Sequence, residues 1–194
     1  MKIILASQSP RRKEILSMIT NNFEVIVSNA EEVIDKKLTN EEQVKHLAYI
    51  KAKAVFDETK DLGNRIVIGS DTIVVKDEKI YGKPKNHDDA VNMLKDLKNA
   101  KHEVMTGLCI MIEKNGEILE KLDIDITAVY INDLSEKEIE DWIATNEAYD
   151  KAGGYAIQGK FGVFIQKIDG NYYTVVGLPV HKVYNIIKPY LESE

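Results

Sequence analysis

Met1-Lys-Ile-Ile-Leu-Ala-Ser7-Gln-Ser9-Pro10-Arg11-Arg12-Lys13 opens the chain and reads as a strand, a serine turn and a basic helix in immediate succession. Ile3 to Ala6 are apolar and form the strand. Ser9 stands where a helix N-cap belongs. Pro10 suits the first helical position, where its missing N–H would have no partner anyway. Such a helix start offers free backbone N–H groups and the positive end of a macrodipole. Here the hydroxyls of Ser7 and Ser9 and the cations Arg11, Arg12 and Lys13 are added to it. That combination predicts a polyanion site, most simply for a phosphate chain. A solvent-facing basic helix on any α/β protein has the same pattern, and the stretch matches neither the Walker motif nor Gly-x-Gly-x-x-Gly. On spacing alone, both readings stand.

Working outward, Phe23 to Val27 alternates as a strand, and the acidic stretch Asn29-Ala-Glu31-Glu32 leads into a loop ending near Leu38. Thr39 or Asn40 caps a long helix through Lys60, with Val44, Leu47, Ala48, Ala54 and Val55 near helical spacing. Ile66 to Val75 is a nearly continuous apolar strand interrupted by Ser70-Asp71-Thr72. Asp77-Glu78 turns it into a short return strand, Lys79 to Tyr81. Asn86 caps a helix from His87 to Leu97. Two long strands, Glu103–Glu113 and Glu117–Tyr130, meet at Asn115-Gly116, a strong hairpin signal. Ser135 and Glu138 form a capping box for the next helix. A glycine-rich loop spans Asp150 to Gly159. Asp169-Gly170 predicts a further hairpin between strands Phe161–Ile168 and Asn171–Val176, and Pro179 starts a C-terminal helix. Helices alternate with strands early and hairpins dominate late. The expectation is an α/β fold with one mixed sheet and flanking helices, elongated and with room for two lobes. No repeat, low-complexity tract or linker marks a boundary, so residues 1–194 are read as one domain.

The chain has 194 residues, 44% of them hydrophobic, enough for a full core. A net charge of −6 argues against a protein that coats DNA or RNA, although a small polyanion needs only a few cations. Cys109 is the only cysteine, which excludes an internal disulfide and fits a reducing compartment; it lies in an alternating run and reads as a packing residue. The apolar run after Lys2 is too short for a signal-peptide core and nothing approaches a membrane span. The expectation is a soluble, cytoplasmic protein. His46, His87, His102 and His181 are scattered, without zinc-site spacing.

Asp71 is the first candidate for chemistry. A carboxylate inside an apolar strand is costly unless exposed at the strand end or paired. It is the partner of a buried cation, part of a bulged turn, or a general base or metal ligand facing a cleft. Glu31 and Glu32 are weaker candidates, since adjacent loop acids are usually solvated. Lys51 and Lys53, two residues apart on a helix, face different directions, so at most one points into a site reached by Arg11. Lys83, extended before Pro84, reaches a cleft or edges a strand. Gly153-Gly154 permits close backbone approach, and Gln158 offers the donor and acceptor that reading a base edge requires.

In order along the chain, Leu5-Ala-Ser-Gln-Ser-Pro-Arg-Arg12, Glu31-Glu32, Leu47-Ala-Tyr-Ile-Lys-Ala-Lys-Ala54, Gly69-Ser-Asp-Thr72, Gly82-Lys-Pro84, Thr106-Gly107, Lys151-Ala-Gly-Gly-Tyr-Ala-Ile-Gln-Gly159 and Val175-Val-Gly-Leu-Pro179 resemble the Maf family of nucleoside triphosphate pyrophosphatases. The resemblance runs over essentially the whole chain. It implies a mixed α/β fold with a central cleft, similar to inosine triphosphate pyrophosphatase. It also implies cleavage of a nucleoside triphosphate between the α and β phosphates, giving a monophosphate and pyrophosphate. By position, Asp71 matches the family's proton acceptor, and Arg11, Thr72 and Gln158 match positions tied to substrate choice. Ser7, Arg12, Lys51 and Lys83 match phosphate-holding positions. Glu32 and Asp71 match a site for a divalent cation, Mg²⁺ or Mn²⁺. Where the family commonly shows Asp-Glu, Glu31-Glu32 keeps both charges and adds a methylene.

Members acting on 7-methyl-GTP carry tryptophan, glutamine and glutamate at the positions of Arg11, Thr72 and Gln158. A cationic purine favours an aromatic face and a carboxylate. A neutral uracil or thymine edge suits the Gln158 amide and the Thr72 hydroxyl. The resemblance is therefore to the dTTP/UTP subgroup, modified pyrimidine nucleotides included, with a homodimer implied. A nucleotide-binding regulator of septum formation without essential turnover, and an enzyme of the same fold acting on damaged purine triphosphates, are the competing readings.

Overall fold

The computed structural model describes residues 1–35 and 37–191. In chain order these form β1 (Lys2–Leu5), α1 (Pro10–Ser17), β2 (Glu24–Val25), α2 (Asn40–Glu58), β3 (Arg65–Lys76), β4 (Lys79–Tyr81), α3 (His87–Leu97), β5 (Ala100–Lys114), β6 (Glu117–Ile131), α4 (Glu136–Ile143), β7 (Ile165–Asp169), α5 (Tyr172–Val176) and α6 (Val180–Leu191). Short 3-10 segments cover Lys60–Leu62, Ala152–Gly154 and Gly159–Phe164. Among the described residues seven strands make one mixed sheet, ordered β2-β1-β3-β5-β6-β7, with β4 also on β3. β1 runs parallel to β2 and β3, with Ile3 opposite Ile66 and Leu5 opposite Ile68. β4 is antiparallel to β3, and β7 to β6. No helix of the described residues is long and apolar enough to cross a membrane.

The chain divides into two compact units. The first comprises Met1–Asp71, Thr106–Asp125 and Gly177–Glu194; the second comprises Thr72–Met105 and Ile126–Val176.

In the first unit α2 packs on the sheet through Ala48, Ala52, Val55 and Phe56, against Ile4, Ala6, Val67, Cys109 and Met111. Thr39 and Glu42 start this helix with a reciprocal capping box, choosing between the two caps the sequence allowed. Gly69 on β3 is what lets the helix sit so close: a Cβ there would lie 2.5 Å from the Ala48 carbonyl oxygen and 2.7 Å from the Ala52 nitrogen. Cys109 is fully buried, as its alternating run implied, and burial pushes its thiol up to about 12. Arg65, also buried, bonds to the Thr59 hydroxyl and the carbonyls of Phe56 and Gly63, pairs with Glu113, and stacks 4.1 Å over Phe56. A charge taken out of water is tolerated only when its donors are satisfied in this way.

In the second unit α3 and α4 close over Val74, Tyr81, Val104, Val129 and Ile131, with Trp142, Tyr155 and Phe161 in the same core. Two sequence expectations fail here. Gly159–Phe164 coils as a 3-10 turn, so β7 begins only at Ile165. Asn171–Val176 is not the second arm of a hairpin, because Tyr172–Val176 is a short helix. Asn171 caps it: its side-chain oxygen accepts from the Tyr173 N–H, and its carbonyl accepts from the Thr174 N–H. The Thr127 hydroxyl donates to that same carbonyl and accepts from the Asn171 N–H. Tertiary capping overrides the β propensity of Tyr, Thr and Val.

His102 is buried in this unit. Burial, with Lys76 nearby, lowers its imidazole from 6.5 to about 4. Between those values the unfolded chain binds a proton that the folded protein refuses, so stability falls as pH drops through that window. The full loss is about 3 kcal/mol, and full stability is present above the unfolded value. Urea denaturation at about pH 7 and about pH 4 should show the loss, and His102→Gln should remove this share of it.

Candidate active site

Four segments of the first unit bring its candidate side chains together. The turn after β1 is built as the sequence implies. Ser9 caps α1 with its hydroxyl toward the Arg12 N–H, Pro10 takes the first helical position, and the Ser7 hydroxyl accepts from the Ser9 N–H at 3.1 Å. Arg12 turns back over this cap. Its Nη1 donates to the Ser7 hydroxyl at 3.3 Å and its Nε to the Gly177 carbonyl at 2.8 Å, ahead of α6. Burial lowers the Arg12 guanidinium from its ordinary value; the Asp71 carboxylate opposes that shift, Arg11 adds to it and Glu32 opposes it. Even lowered, an arginine stays charged. Arg11 is half-buried on the same turn.

Asp71 is the last residue of the first unit on β3, and it is 8% exposed. The Lys51 ammonium sits 2.5 Å from its Oδ1 and 2.9 Å from Glu32 Oε1, so one cation from α2 joins two carboxylates from separate segments. This decides between the two lysines. Lys53 instead reaches Asp57 one turn along the exposed face of α2. Lys51→Met should therefore lower kcat/KM about 10²-fold, the scale for removing one preorganised charge from a site, while Lys53→Met leaves it within about twofold. Initial rates with the nucleoside triphosphates that the sequence resemblance implies check both.

The side chain of Glu31 is exposed, and Glu32 rather than Glu31 meets Lys51. Glu32 and Asp71 are hard oxygen donors of the kind Mg²⁺ and Mn²⁺ select. Among the described residues no group of three His, Cys, Asp or Glu side chains assembles. Two carboxylates would fit a divalent ion that completes its ligand set with water and the oxygens of a bound phosphate compound.

Three supporting groups had no warning in the reading of the sequence. Gln43, buried on α2, accepts from the Asp35 N–H at 2.8 Å and donates to the Val33 carbonyl at 3.2 Å, tying down the loop that follows Glu32. Ser70, fully buried beside Asp71, has the Gly107 and Gly177 carbonyls at 2.9 and 3.1 Å as acceptors for its hydroxyl. Gly177 thereby accepts from Arg12 with a second donor at hand. A polar residue on the buried face of α2 was the available signal for Gln43. A carbonyl's role leaves no mark in residue type.

Thr72, Lys83 and Gln158 belong to the second unit. Thr72 and Gln158 are half-buried, and Lys83 is exposed between Gly82 and the buried Pro84. The glycine-rich loop is strapped to this segment: the Gly153 N–H donates to the Gly82 carbonyl at 3.0 Å. Gly153 and Gly154 both have positive φ, 70° and 72°, and a Cβ on Gly154 would lie 3.2 Å from Pro84 Cγ. The glycine pair thus serves close approach, bringing the Gln158 loop against the Lys83-Pro84 segment.

The sequence profile described as Maf-like protein matches residues 2–190. A dTTP/UTP pyrophosphatase of Lachnoclostridium phytofermentans is 45% identical over 190 residues, covering 97% of this chain and 95% of that protein. One from a Thermoanaerobacter species is 46% identical over 188 residues, covering 97% and 96%. One from Bacillus cereus is 44% identical over 190 residues, covering 97% and 95%. Among solved structures, a nucleoside-triphosphatase (dITP/XTP pyrophosphatase) of Mycobacterium abscessus aligns with a TM-score of 0.45 at 16% identity, over 98% of this chain and 96% of that one. The Ham1 protein of Staphylococcus aureus aligns with a TM-score of 0.49, also at 16% identity, over 99% and 98%. Both scores are low, and the fold described above stands on this chain's own elements.

Proposed function

The chain belongs to the Maf family, and from that premise we infer that it is a dTTP/UTP pyrophosphatase, hydrolysing a nucleoside triphosphate to the monophosphate and pyrophosphate. The observation that carries the site is the Lys51 bridge between Asp71 and Glu32, within electrostatic reach of Arg12 on a capped helix start. Phosphoryl chemistry needs little from a protein beyond positioning and charge stabilisation, and this cluster supplies both.

In this reading Asp71 accepts a proton from the attacking water as that water approaches the α phosphate. Arg12, Ser7 and Lys51, with the N–H groups at the start of α1, hold the phosphate chain and stabilise the charge that collects on departing pyrophosphate. Lys83 adds a further cation for the phosphates. Glu32 and Asp71 are the residues that would hold Mg²⁺ or Mn²⁺, which when bound neutralises phosphate charge. Arg11, Thr72 and Gln158 select the nucleotide, the Gln158 amide and the Thr72 hydroxyl matching the donor and acceptor edge of a pyrimidine. The same reading places the enzyme in the cytoplasm and includes a homodimer, which sedimentation equilibrium would test.

Incubation with a panel of nucleoside triphosphates, Mg²⁺ or Mn²⁺ present, and chromatography of every product tests the whole reading. UMP or dTMP with pyrophosphate supports it. Binding without product favours a regulator, and turnover confined to inosine or 7-methylguanosine triphosphate overturns the pyrimidine assignment.

A further inference from the structure

His102 is a polar residue whose burial has no evident structural return. It is 2% exposed, and its Nδ1 is buried without a hydrogen-bond partner among the described residues. An apolar side chain would fill the same volume without leaving a polar atom stranded. What the imidazole does gain is one short contact: its Nε2 lies 2.6 Å from the Tyr155 hydroxyl, the rings edge to face at 80°.

Tyr155 is one side of the neck of a small loop. The Tyr155 and Phe161 ring centroids are 5.3 Å apart, so the chain leaves the core at Tyr155 and returns to it at Phe161, with Gln158 midway. Phe161 is fully buried against Trp142 and Phe164, at 5.2 and 5.3 Å between centroids. Its side of the neck is held by apolar packing. The other side is held by hydrogen bonds, from Trp142 Nε1 to the Gly154 carbonyl at 2.8 Å and between His102 and Tyr155. Ring packing resists separation and tolerates sliding in the ring plane. A hydrogen bond to the hydroxyl fixes where along that plane Tyr155 sits.

We propose that His102 is a positioning residue for nucleobase recognition: through its hydrogen bond to Tyr155 it sets the neck of the 155–161 loop and hence the placement of the Gln158 amide. This rests on the reading of Gln158 as a base-selecting group. In this proposal His102 acts through Tyr155 and takes no part in the hydrolysis itself.

The test compares kcat/KM for UTP with that for GTP, alongside thermal melting, in wild type, Tyr155→Phe, His102→Met, His102→Gln and Gln158→Ala. Tyr155→Phe keeps the ring and loses the hydroxyl. It should lower the UTP-to-GTP ratio about tenfold, mainly through KM for UTP, the scale of one hydrogen bond. His102→Met should do the same. His102→Gln, whose amide offers a donor and an acceptor in place of Nε2, should restore most of the ratio. Adding Tyr155→Phe to Gln158→Ala should change the ratio no further, because the two act through one contact. Variants that melt earlier yet keep the wild-type ratio and KM would make His102 a core residue only and overturn the proposal. The His102 pair carries the same decision if Tyr155→Phe does not fold. A wild-type enzyme that does not prefer UTP, with Gln158→Ala unchanged, is the distinct signature of failure in the base-selection reading itself, and removes this inference with it.

Discussion

Asp71→Asn should lower kcat about 10²–10⁴-fold while leaving the protein folded. The substitution is isosteric and keeps an oxygen that can accept from Lys51, but it removes the basic oxygen and the charge. Lys51 would still hold Glu32 at 2.9 Å, so its ammonium is not stranded, and the folding cost should stay near 1 kcal/mol. The separation of these two effects is what identifies a base. A residue that served only as a partner for Lys51 would show the reverse, with stability lost and rate preserved. Pyrophosphate release under saturating UTP gives kcat, and a urea melt gives stability. A rate within a few-fold of wild type would remove Asp71 from the role.

Gly69→Ala should damage stability and rate together. The new Cβ would lie 2.5 Å from the Ala48 oxygen, 2.7 Å from the Ala52 nitrogen and 2.8 Å from the Ala52 Cβ. Two of these are backbone atoms of a helix, which cannot swing aside as a side-chain end would, so α2 as a whole must lift off β3. Overpacking of this kind costs about 3 kcal/mol or more. Lys51 lies between Ala48 and Ala52 on the displaced helix, and Asp71 is two residues beyond Gly69 on the strand. Lifting the helix therefore lengthens the 2.5 Å Lys51–Asp71 contact directly. A displacement near 1 Å at a catalytic group costs about 10²-fold in rate. Denaturation midpoints and single-turnover rates on the folded fraction measure both losses. A stable variant with normal kcat would show that α2 is not positioned by this contact.

These two residues also mark how far the sequence could be read. The elements set by local chemistry were legible in it. Ser9-Pro10, Thr39 with Glu42, Asn86 and Ser135 with Glu138 start their helices as their capping chemistry requires. Asn115-Gly116, with φ of 55° and 85°, makes its hairpin turn. The candidate residues were legible for a related reason. A carboxylate in an apolar strand and cations at a helix start are locally expensive arrangements, so they stand out in sequence. Helical geometry shows that Lys51 and Lys53 face apart, and the contact with Asp71 chose Lys51.

What failed or stayed hidden depended on partners distant in the chain. Asn171–Val176 has β-forming residues, yet Thr127, more than forty positions earlier, fixes both backbone groups of Asn171 and turns the segment into a helix. Ser70 and the Gly177 carbonyl carry no composition signal and Gln43 only that of a polar residue on a buried helix face, because their roles are hydrogen bonds to groups that only folding brings near. By itself the sequence determined where the chain turns and caps, which side chains carry charge, and the mixed α/β class, since each follows from interactions within a few residues. Tertiary structure alone decided that Glu32, not Glu31, meets Lys51, that Asp71 is paired, and that His102 lies buried with one nitrogen unsatisfied among the described residues. Those outcomes turn on distances of a few ångströms between segments remote in sequence, and only the packing of α2 and the sheet, and of the aromatic core around Tyr155, sets such distances.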